Sequence, residues 1–501
     1  MNKIFRILCL ISIIVLTAAL FSCGEENAGQ QSNDGRETIN AEDNADIIEN
    51  ENAEDAKLPP PELPDLNLNG KDFVIMTHDY YIPIWSQRCI GAEELTGDSI
   101  NDAVYTRNSV IEERYNCNIV ERKAEDATAQ IQRFVRAGDD VLDAATMHLR
   151  SLSGLITGGN LVEFSNLPYI NLANPWWDQN CIKDLSIAGK IFAVASDMTL
   201  MDKDATSAMV FNKRLQADYQ IDDLYQLVKD GKWTLDKMLE LCKVVSVDVD
   251  GNGIMDDNDA YGLLYQRDTM SSFLSGSGEF IGGKDENDLP VLTLNTPKAI
   301  EVLNKLYDIL YDEMYCFHVM KFFDSTGKGF TEGMNEIFQD NRALLMWIRM
   351  ADVENLRNMD TDFGILPIPK YDERQEKYLQ TVNPYVGVAA GVPRSAGSLD
   401  NSSIILEAMS YESKYILQPA YYDVVLHTKI TRDDESSAML DIIFGSRAYD
   451  IGDVFDFNGL GSDVIYMTMT FNRNIVSTIE RKEERAIIAI ERLIASIQDL
   501  D

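Results

Sequence analysis

Between residues 71 and 147 the spacing of apolar positions switches repeatedly between strand-like and helix-like. Lys71-Asp72-Phe73-Val74-Ile75-Met76-Thr77 is a short apolar run after the turn signal Asn69-Gly70, and it predicts a buried strand. Residues 101–115 place Val104, Ile111 and Tyr115 on one helical face, with Asp102 in the first turn. A strand near 117–120 follows, then a helix near 127–137 with Ile131, Phe134 and Val135 inward and Gly138 as its stop. Residues 141–147 predict a third strand. This alternation implies a parallel sheet with helices on its faces. Later, Thr234 caps an apolar stripe of Leu235, Met238, Leu239, Cys242 and Val245. Residues 297–315, 400–417 and 474–498 also have helical spacing, and no repeat of 20–50 residues is visible.

The N-terminus has a different pattern. Lys3 and Arg6 precede an apolar run from Ile7 to Phe21, too short to span a membrane, that ends in Leu20-Phe21-Ser22-Cys23-Gly24. That ending resembles a bacterial lipobox, with Cys23 as the lipidated residue after removal of a signal peptide over 1–23. The alternative is an ordinary secretory signal with an incidental cysteine. From Gly24 to Asp65 there are 13 acidic and 2 basic residues, then Pro59-Pro60-Pro61 and Pro64. Residues 24–67 therefore read as a disordered acidic tether with a reach of roughly 35 Å. The expected location is extracytoplasmic, with the chain anchored to the bacterial cell membrane by lipid.

Composition narrows the classes of function. The 501 residues suit more than one lobe. Eighty-two Asp and Glu against 44 Lys and Arg give a net charge of −38, which argues against a nucleic-acid partner. The same charge argues against docking on anionic lipid through a basic patch. Beyond Cys9 and Cys23 the chain keeps Cys89, Cys117, Cys181, Cys242 and Cys316, an odd number without a CxxC pair. Buried structural thiols are expected, and one or two disulfides of unassigned pairing remain open.

There is no GxSxG, HExxH, Walker-type glycine loop or GxGxxG, and the four histidines lie at no ligand spacing from one another. A non-enzymatic protein is expected. One motif is sharp. Asp248, Asp250, Asn252, Asp256 and Asp259 put oxygen side chains at loop positions 1, 3, 5, 9 and 12, with Gly253 at position 6 and the Ile254 carbonyl at position 7. That spacing wraps a chain around a hard cation, so a structural Ca²⁺ is expected, weakened by Asp259 where Glu is usual. The alternative is a polar turn that ends the preceding helix.

Several stretches, in order, resemble extracellular solute-binding lipoproteins of bacterial ABC importers, in the branch similar to maltose-binding protein. They are Leu155 to Phe164, Pro175-Trp176-Trp177-Asp178, Gly189-Lys190-Ile191-Phe192-Ala193-Val194, Phe211-Asn212-Lys213, Gly231-Lys232-Trp233-Thr234, Tyr261-Gly262-Leu263 and Phe363-Gly364-Ile365-Leu366-Pro367-Ile368-Pro369. The resemblance covers about residues 70–450. It implies an α/β, two-lobe periplasmic-binding-protein-like fold with hinge strands and an interlobe cleft. Lobe 1 would hold 68–190 plus 393–445, lobe 2 would hold 200–380 plus 446–501, and the hinge crossings would be 190–212 and 380–393. It further implies a monomer that delivers a small-molecule ligand, most often an oligosaccharide in that branch, to ABC permease subunits.

Sugars present flat CH faces and rings of hydroxyls, so aromatic, Asp and Arg side chains near strand carboxyl ends are the candidates. These are His78, Asp79, Tyr80 and Trp85 after the first strand, and His148 and Arg150 after the third. Asp197 after the first crossing is another, with Trp347 and Tyr385 in stretches that resemble cleft-lining segments. The competing readings are a receptor for a peptide or another solute, a surface glycan-degrading lipoprotein, and a glycan adhesin or chemosensory receptor.

Overall fold

A computed structural model describes residues 57–80, 86, 88–320, 330–427, 434–470 and 473–500. Cys23, the tether up to residue 56 and Trp85 lie outside the described residues. Residues 57–67, expected as the end of the disordered tether, are instead ordered on the body, with the Leu58 amide donating to the Tyr415 hydroxyl and its carbonyl accepting from that of Tyr411 at 2.9 Å each. Residues 57–501 form one compact unit built on two sheets. Among the described residues no helix is long and apolar enough to cross a membrane.

The first sheet runs in the order β12-β3-β1-β2. β1 (Lys71–His78) pairs in parallel with β2 (Cys117–Ala124) and with β3 (Ala144–His148), while β12 (Val388–Gly391) returns antiparallel to β3. The intervening helices are α1 (Ser99–Tyr115), α2 (Ala127–Ala137) and α3 (Leu149–Thr157). β1 is apolar on both faces because both are covered. Phe73 and Ile75 pack with Ile111 and Tyr115 of α1, while Met76 packs toward Ile131 of α2. Asp98 caps α1 by accepting from the Asn101 amide, and Gly138 at φ 70° ends α2, as its position in the sequence predicts.

The second sheet runs β10-β4-β9-β5-β8. β4 (Ser207–Asn212) lies antiparallel between β9 (Ala343–Arg349) and β10 (Phe363–Leu366). β5 (Tyr261–Tyr265) lies parallel between β9 and β8 (Cys316–His318). A small antiparallel ribbon of β6 (Gly282–Lys284) and β7 (Pro290–Leu292) sits apart.

Chain passages link the two sheets. Going out, Val194 bridges Ala390 beside the first sheet and Thr206 bridges Val382 just before β4. On the return, β11 (Gln380–Thr381) pairs with β13 (Arg447–Ala448) before the chain enters β12. The stretch 189–194 does not form the continuous strand that its motif suggests and makes only isolated bridges. A buried ion network holds these passages. Arg447 reaches Asp178 through Nε at 3.0 Å and also through Nη2, and the Tyr449 hydroxyl donates to the same carboxylate at 3.0 Å. Burial disfavours the Asp178 charge, but Arg447 and these hydrogen bonds hold its carboxyl below the usual range.

One stretch belongs elsewhere than its place in the sequence predicts. The helix Leu399–His427 packs along α1, in the first lobe. The helix Asp434–Gly445, grouped by sequence with that lobe, packs instead against β10 of the second sheet. There the Ser436 hydroxyl lies 2.8 Å from that of Tyr225, and Met439, Leu440 and Ile443 are buried. The helix follows its apolar face, which β10 covers, while Phe444 near its end also packs on Tyr421 and Tyr422 of the preceding helix.

Candidate functional site

Both sheets turn the carboxyl ends of their parallel strands toward the passages between them, the place where ligands sit in open α/β sheets. In the first lobe this brings His78, at the end of β1, beside His148, at the end of β3. Their ring centroids are 5.2 Å apart, and the half-buried Tyr80 closes the cluster at 5.8 Å from His78 and 5.5 Å from His148. Three aromatic rings predicted separately are thus one surface. Asp79 between them is exposed, and its amide donates to the Ala124 carbonyl at 3.0 Å.

Arg150 follows as the second residue of α3. The start of that helix is stitched to the return passage, because the Leu149 and Arg150 amides donate to the Gly387 and Pro384 carbonyls at 2.9 Å each. The guanidinium then points to the C-terminal region. Its Nη2 lies 2.5 Å from the Asp456 carboxylate, its Nη1 donates to the Asp453 carbonyl at 2.6 Å, and its carbon sits 5.3 Å from the centre of the Tyr385 ring. Tyr385 is half-buried, with its hydroxyl 3.3 Å from that of Ser462.

The second lobe brings side chains that the sequence motifs do not single out. Asp268 lies just beyond β5, is 4% exposed, and accepts from the Asn383 side-chain amide at 3.2 Å. Arg349 ends β9, donates to Asp352 at 2.9 Å and approaches Asp268 to 4.0 Å. Asp453 lies between the two groups and feels Arg150 from the first lobe and Asp268 from the second. It is 3% exposed, and its Oδ1 has no hydrogen-bond partner. Burial, with Asp450 close by, pushes its carboxyl well above the usual range. Asp450 itself caps the next turn, accepting from the Ile281 amide at 2.7 Å and the Gly452 amide at 2.8 Å, and burial raises it to about 6. The carboxyl-end rule could have found Asp268 and Arg349, since each ends or follows a parallel strand. Asp453 and Asp456 carry no such signal.

Two predicted residues lie away from this convergence. Trp347 occupies the middle of β9, opposite Met209, and is 2% exposed with its indole N–H unpartnered. It is part of the second lobe's core. Asp197 faces the helix Leu399–His427 instead, 3.2 Å from the Lys203 ammonium, with its carbonyl accepting from Gln418 at 2.8 Å.

The oxygen-rich loop stands apart from all of these, after the helix Leu235–Val245. Val247 bridges Ala260 at its neck, and Gly251 and Gly253 take φ values of 70° and 82°. Carboxylate oxygens of Asp248, Asp250 and Asp259 lie within 4.8 Å of one another. Asp248 accepts from the Gly251 and Gly253 amides at 2.7 Å each, and the Gly253 bond above all holds its carboxyl below the usual range. The Asn252 side chain accepts from the Ile254 amide, and Asp256 accepts from the Asn258 amide. Ile254 exposes 65% of its surface.

No protein-family model matches the chain, and no curated protein sequence does either. Solved structures do. UspC of M. tuberculosis aligns at 14% identity with a TM-score of 0.56, over 83% of this chain and 100% of its own. The maltose/maltodextrin-binding domain MalE of Bdellovibrio bacteriovorus, bound to maltotriose, aligns at 14% identity and TM-score 0.51, over 85% and 100%. The ABC substrate-binding protein Lmo0181 of Listeria monocytogenes, in complex with cycloalternan, aligns at 12% identity and TM-score 0.50, over 86% and 99%. The fold is therefore the two-lobe, periplasmic-binding-protein-like α/β fold that the sequence motifs suggest.

Proposed function

We propose that this chain is the substrate-binding lipoprotein of an ABC-type importer, capturing an oligosaccharide between its lobes and presenting it to permease subunits. The observation that carries this reading is the convergence of strand carboxyl ends from both lobes on one set of side chains. Arg150, Tyr385 and the His78–Tyr80–His148 rings come from the first lobe and the return passage, and Asp268 and Arg349 come from the second. Planar charged groups and ring faces suit a polyhydroxylated ligand, with hydrogen bonds to hydroxyls and stacking on CH faces. Solved proteins of the same fold were captured with cycloalternan and maltotriose, which supports a sugar ligand here. The role is that of a receptor and not an enzyme. Ligand contacting both lobes favours the closed arrangement, and a permease that prefers that arrangement distinguishes loaded from empty protein.

Two further parts belong to the same reading. Export, lipidation at Cys23 and the acidic tether would hold the body, a monomer, above the outer face of the cell membrane. The Asp248–Asp259 loop would hold a structural Ca²⁺. Asp248, Asp250 and Asp259 already converge, and Asn252, Asp256 and the Ile254 carbonyl would complete the set. A bound cation there would neutralise clustered carboxylates and fix the connection between a helix and β5.

A thermal-melt screen against an oligosaccharide panel tests the reading. Ligand at 100 times its dissociation constant adds about 2.7 kcal/mol, so a rise of a few degrees is expected for one glycan class. Folded protein that shifts with no glycan but does shift with a peptide pool would overturn the sugar assignment. Release of product from any glycan would overturn the receptor assignment.

A further inference from the structure

Five cysteines lie in the described body, all buried and none in a disulfide. Two of them meet. Cys242 sits on the inner face of the helix Leu235–Val245, which lies over β5, and Cys316 begins β8, the neighbour of β5. They are 0% and 2% exposed, and the Cys316 thiol is close enough to Cys242 to be shifted by it. The backbone explains the approach. A Cβ at Gly262 would come within 2.2 Å of the Cys242 Cα, so only a glycine lets the helix sit this close to the sheet. The Gly262 and Leu263 amides both donate to the Tyr315 carbonyl, at 3.0 and 3.1 Å, and Leu263 pairs with Cys316. The helix, Gly262 and the start of β8 are thereby locked in one register, with the Lys243 ammonium 5.6 Å from the centre of the Tyr315 ring above it. The neighbouring Cys242 thiol and burial raise the Cys316 thiol well above its usual range, so Cys316 is held as the thiol in the folded protein.

We propose that Cys242 and Cys316 are a disulfide site, closed during folding in an oxidising compartment and not afterwards. The helix must be unseated for an oxidant to reach either sulfur, which restricts the reaction to the unfolded or partly folded chain. The step is thiol–disulfide exchange with a disulfide-bearing oxidant such as oxidised glutathione or an exported thiol oxidoreductase. One cysteine thiolate attacks a sulfur of the oxidant's disulfide, forming a mixed disulfide and expelling one thiolate, which takes up the proton that the cysteine lost. The second cysteine then displaces the oxidant's other sulfur in the same way. The two cysteines are oxidised by two electrons, the oxidant leaves as two thiols, and the protons balance. The link ties the helix that precedes the acidic loop to the edge strand of the second sheet. It closes a long stretch of chain, the case in which a cross-link restricts the unfolded ensemble most. The other three thiols lie on separate elements and remain unpaired.

The test is oxidative refolding of the purified chain from a reduced, denatured state in a glutathione redox buffer, followed by denaturation, alkylation and peptide mapping without reductant. The Cys242 and Cys316 peptides are expected to be recovered joined, to separate on reduction, and to leave Cys89, Cys117 and Cys181 alkylated. Recovery of both peptides alkylated, or of either joined to another cysteine, overturns the proposal. The oxidised protein is also expected to unfold at a higher urea concentration than the reduced one, a difference that Cys316→Ser abolishes. Should that variant fail to fold, the peptide map of the unaltered chain decides alone. Occurrence in the cell rests on the export reading. A pair that closes in vitro but is reduced in protein taken from cells would count against export and leave the geometry standing.

Discussion

Asp450 and Asp453, three residues apart, show how burial sets the chemistry of single side chains in this molecule. Asp450 is raised to about 6 and so is Asp204, both chiefly by burial. A carboxyl whose folded-state value is raised binds its proton more readily when folded. Its contribution to stability is full below the unfolded value and is lost as pH rises through the folded one. The two groups should thus make the protein more stable at pH 5 than at pH 7.5. Asp450 accounts for about 1.4 kcal/mol of the change, since only the unit between pH 5 and its folded value of about 6 lies in the window. Melts across that window check the sign, and Asp450→Asn should flatten part of the slope. Arg150 sits at the other extreme, with its charge paired, bonded and stacked. Arg150→Ala should weaken ligand binding by roughly 10- to 100-fold and leave the fold intact, as a titration on folded variant would show. Which single residues were legible follows the same physics. Ends of parallel strands can be read from sequence, and there the His78, Tyr80 and His148 rings form one cluster while Arg150 turns to Asp456 and Tyr385. A tryptophan inside an apolar run is ambiguous between cleft and core, and burial in β9 decides Trp347 for the core. Asp453 and Asp456 reach the convergence from a distant part of the chain, and only tertiary structure brings them there.

Among the elements, the helix Leu399–His427 best shows what periodicity can and cannot supply. Sequence spacing predicts it over 400–417, stopping short of Pro419, which lacks an amide donor, yet it continues to His427. Leu417 and Tyr421, 0% and 2% exposed, hold both sides of the proline in the core, and the Tyr421 hydroxyl donates to Asp204 at 3.0 Å. The same helix carries Glu407, wholly buried, whose carboxylate accepts from Asn174 at 2.6 Å, Trp176 at 3.1 Å and Trp177 at 2.8 Å. Glu407→Ala would leave those donors buried without an acceptor, and a loss of about 3 kcal/mol is expected in urea unfolding. A change within 0.5 kcal/mol would show that water takes over the site. The acidic loop is the element whose motif was sharpest and whose chemistry needs a direct measurement. Added Ca²⁺ should raise the melting temperature by a few degrees, and Asp248→Asn or Asp259→Asn should remove that response while the chelated proteins melt alike. An equal response in the variants would place the cation elsewhere.

At the scale of the whole molecule, the two sheets, their helices and the passages between them follow from alternating period and from order-preserving motifs spread across the chain. The partition of the second half was less legible. The helix Asp434–Gly445 lies close in sequence to a first-lobe helix, but its buried Met439, Leu440 and Ile443 belong to the second lobe. A chain that crosses several times between lobes has no compositional linker to mark each crossing. The buried Asp178–Arg447–Tyr449 network ties β13, the partner of β11 on the return passage, to the stretch that leads into the outgoing one, so the lobes should move about the passages and not separate there. The central claim is that a sugar is held between the lobes by side chains of both. Calorimetric titration of oligosaccharides into the unaltered protein and into Arg150→Ala and Asp268→Asn tests it most directly. Saturable one-to-one binding of one glycan class, weakened by a change in either lobe, is the predicted result. Binding insensitive to both changes, or no binding by any glycan in folded protein, would contradict it.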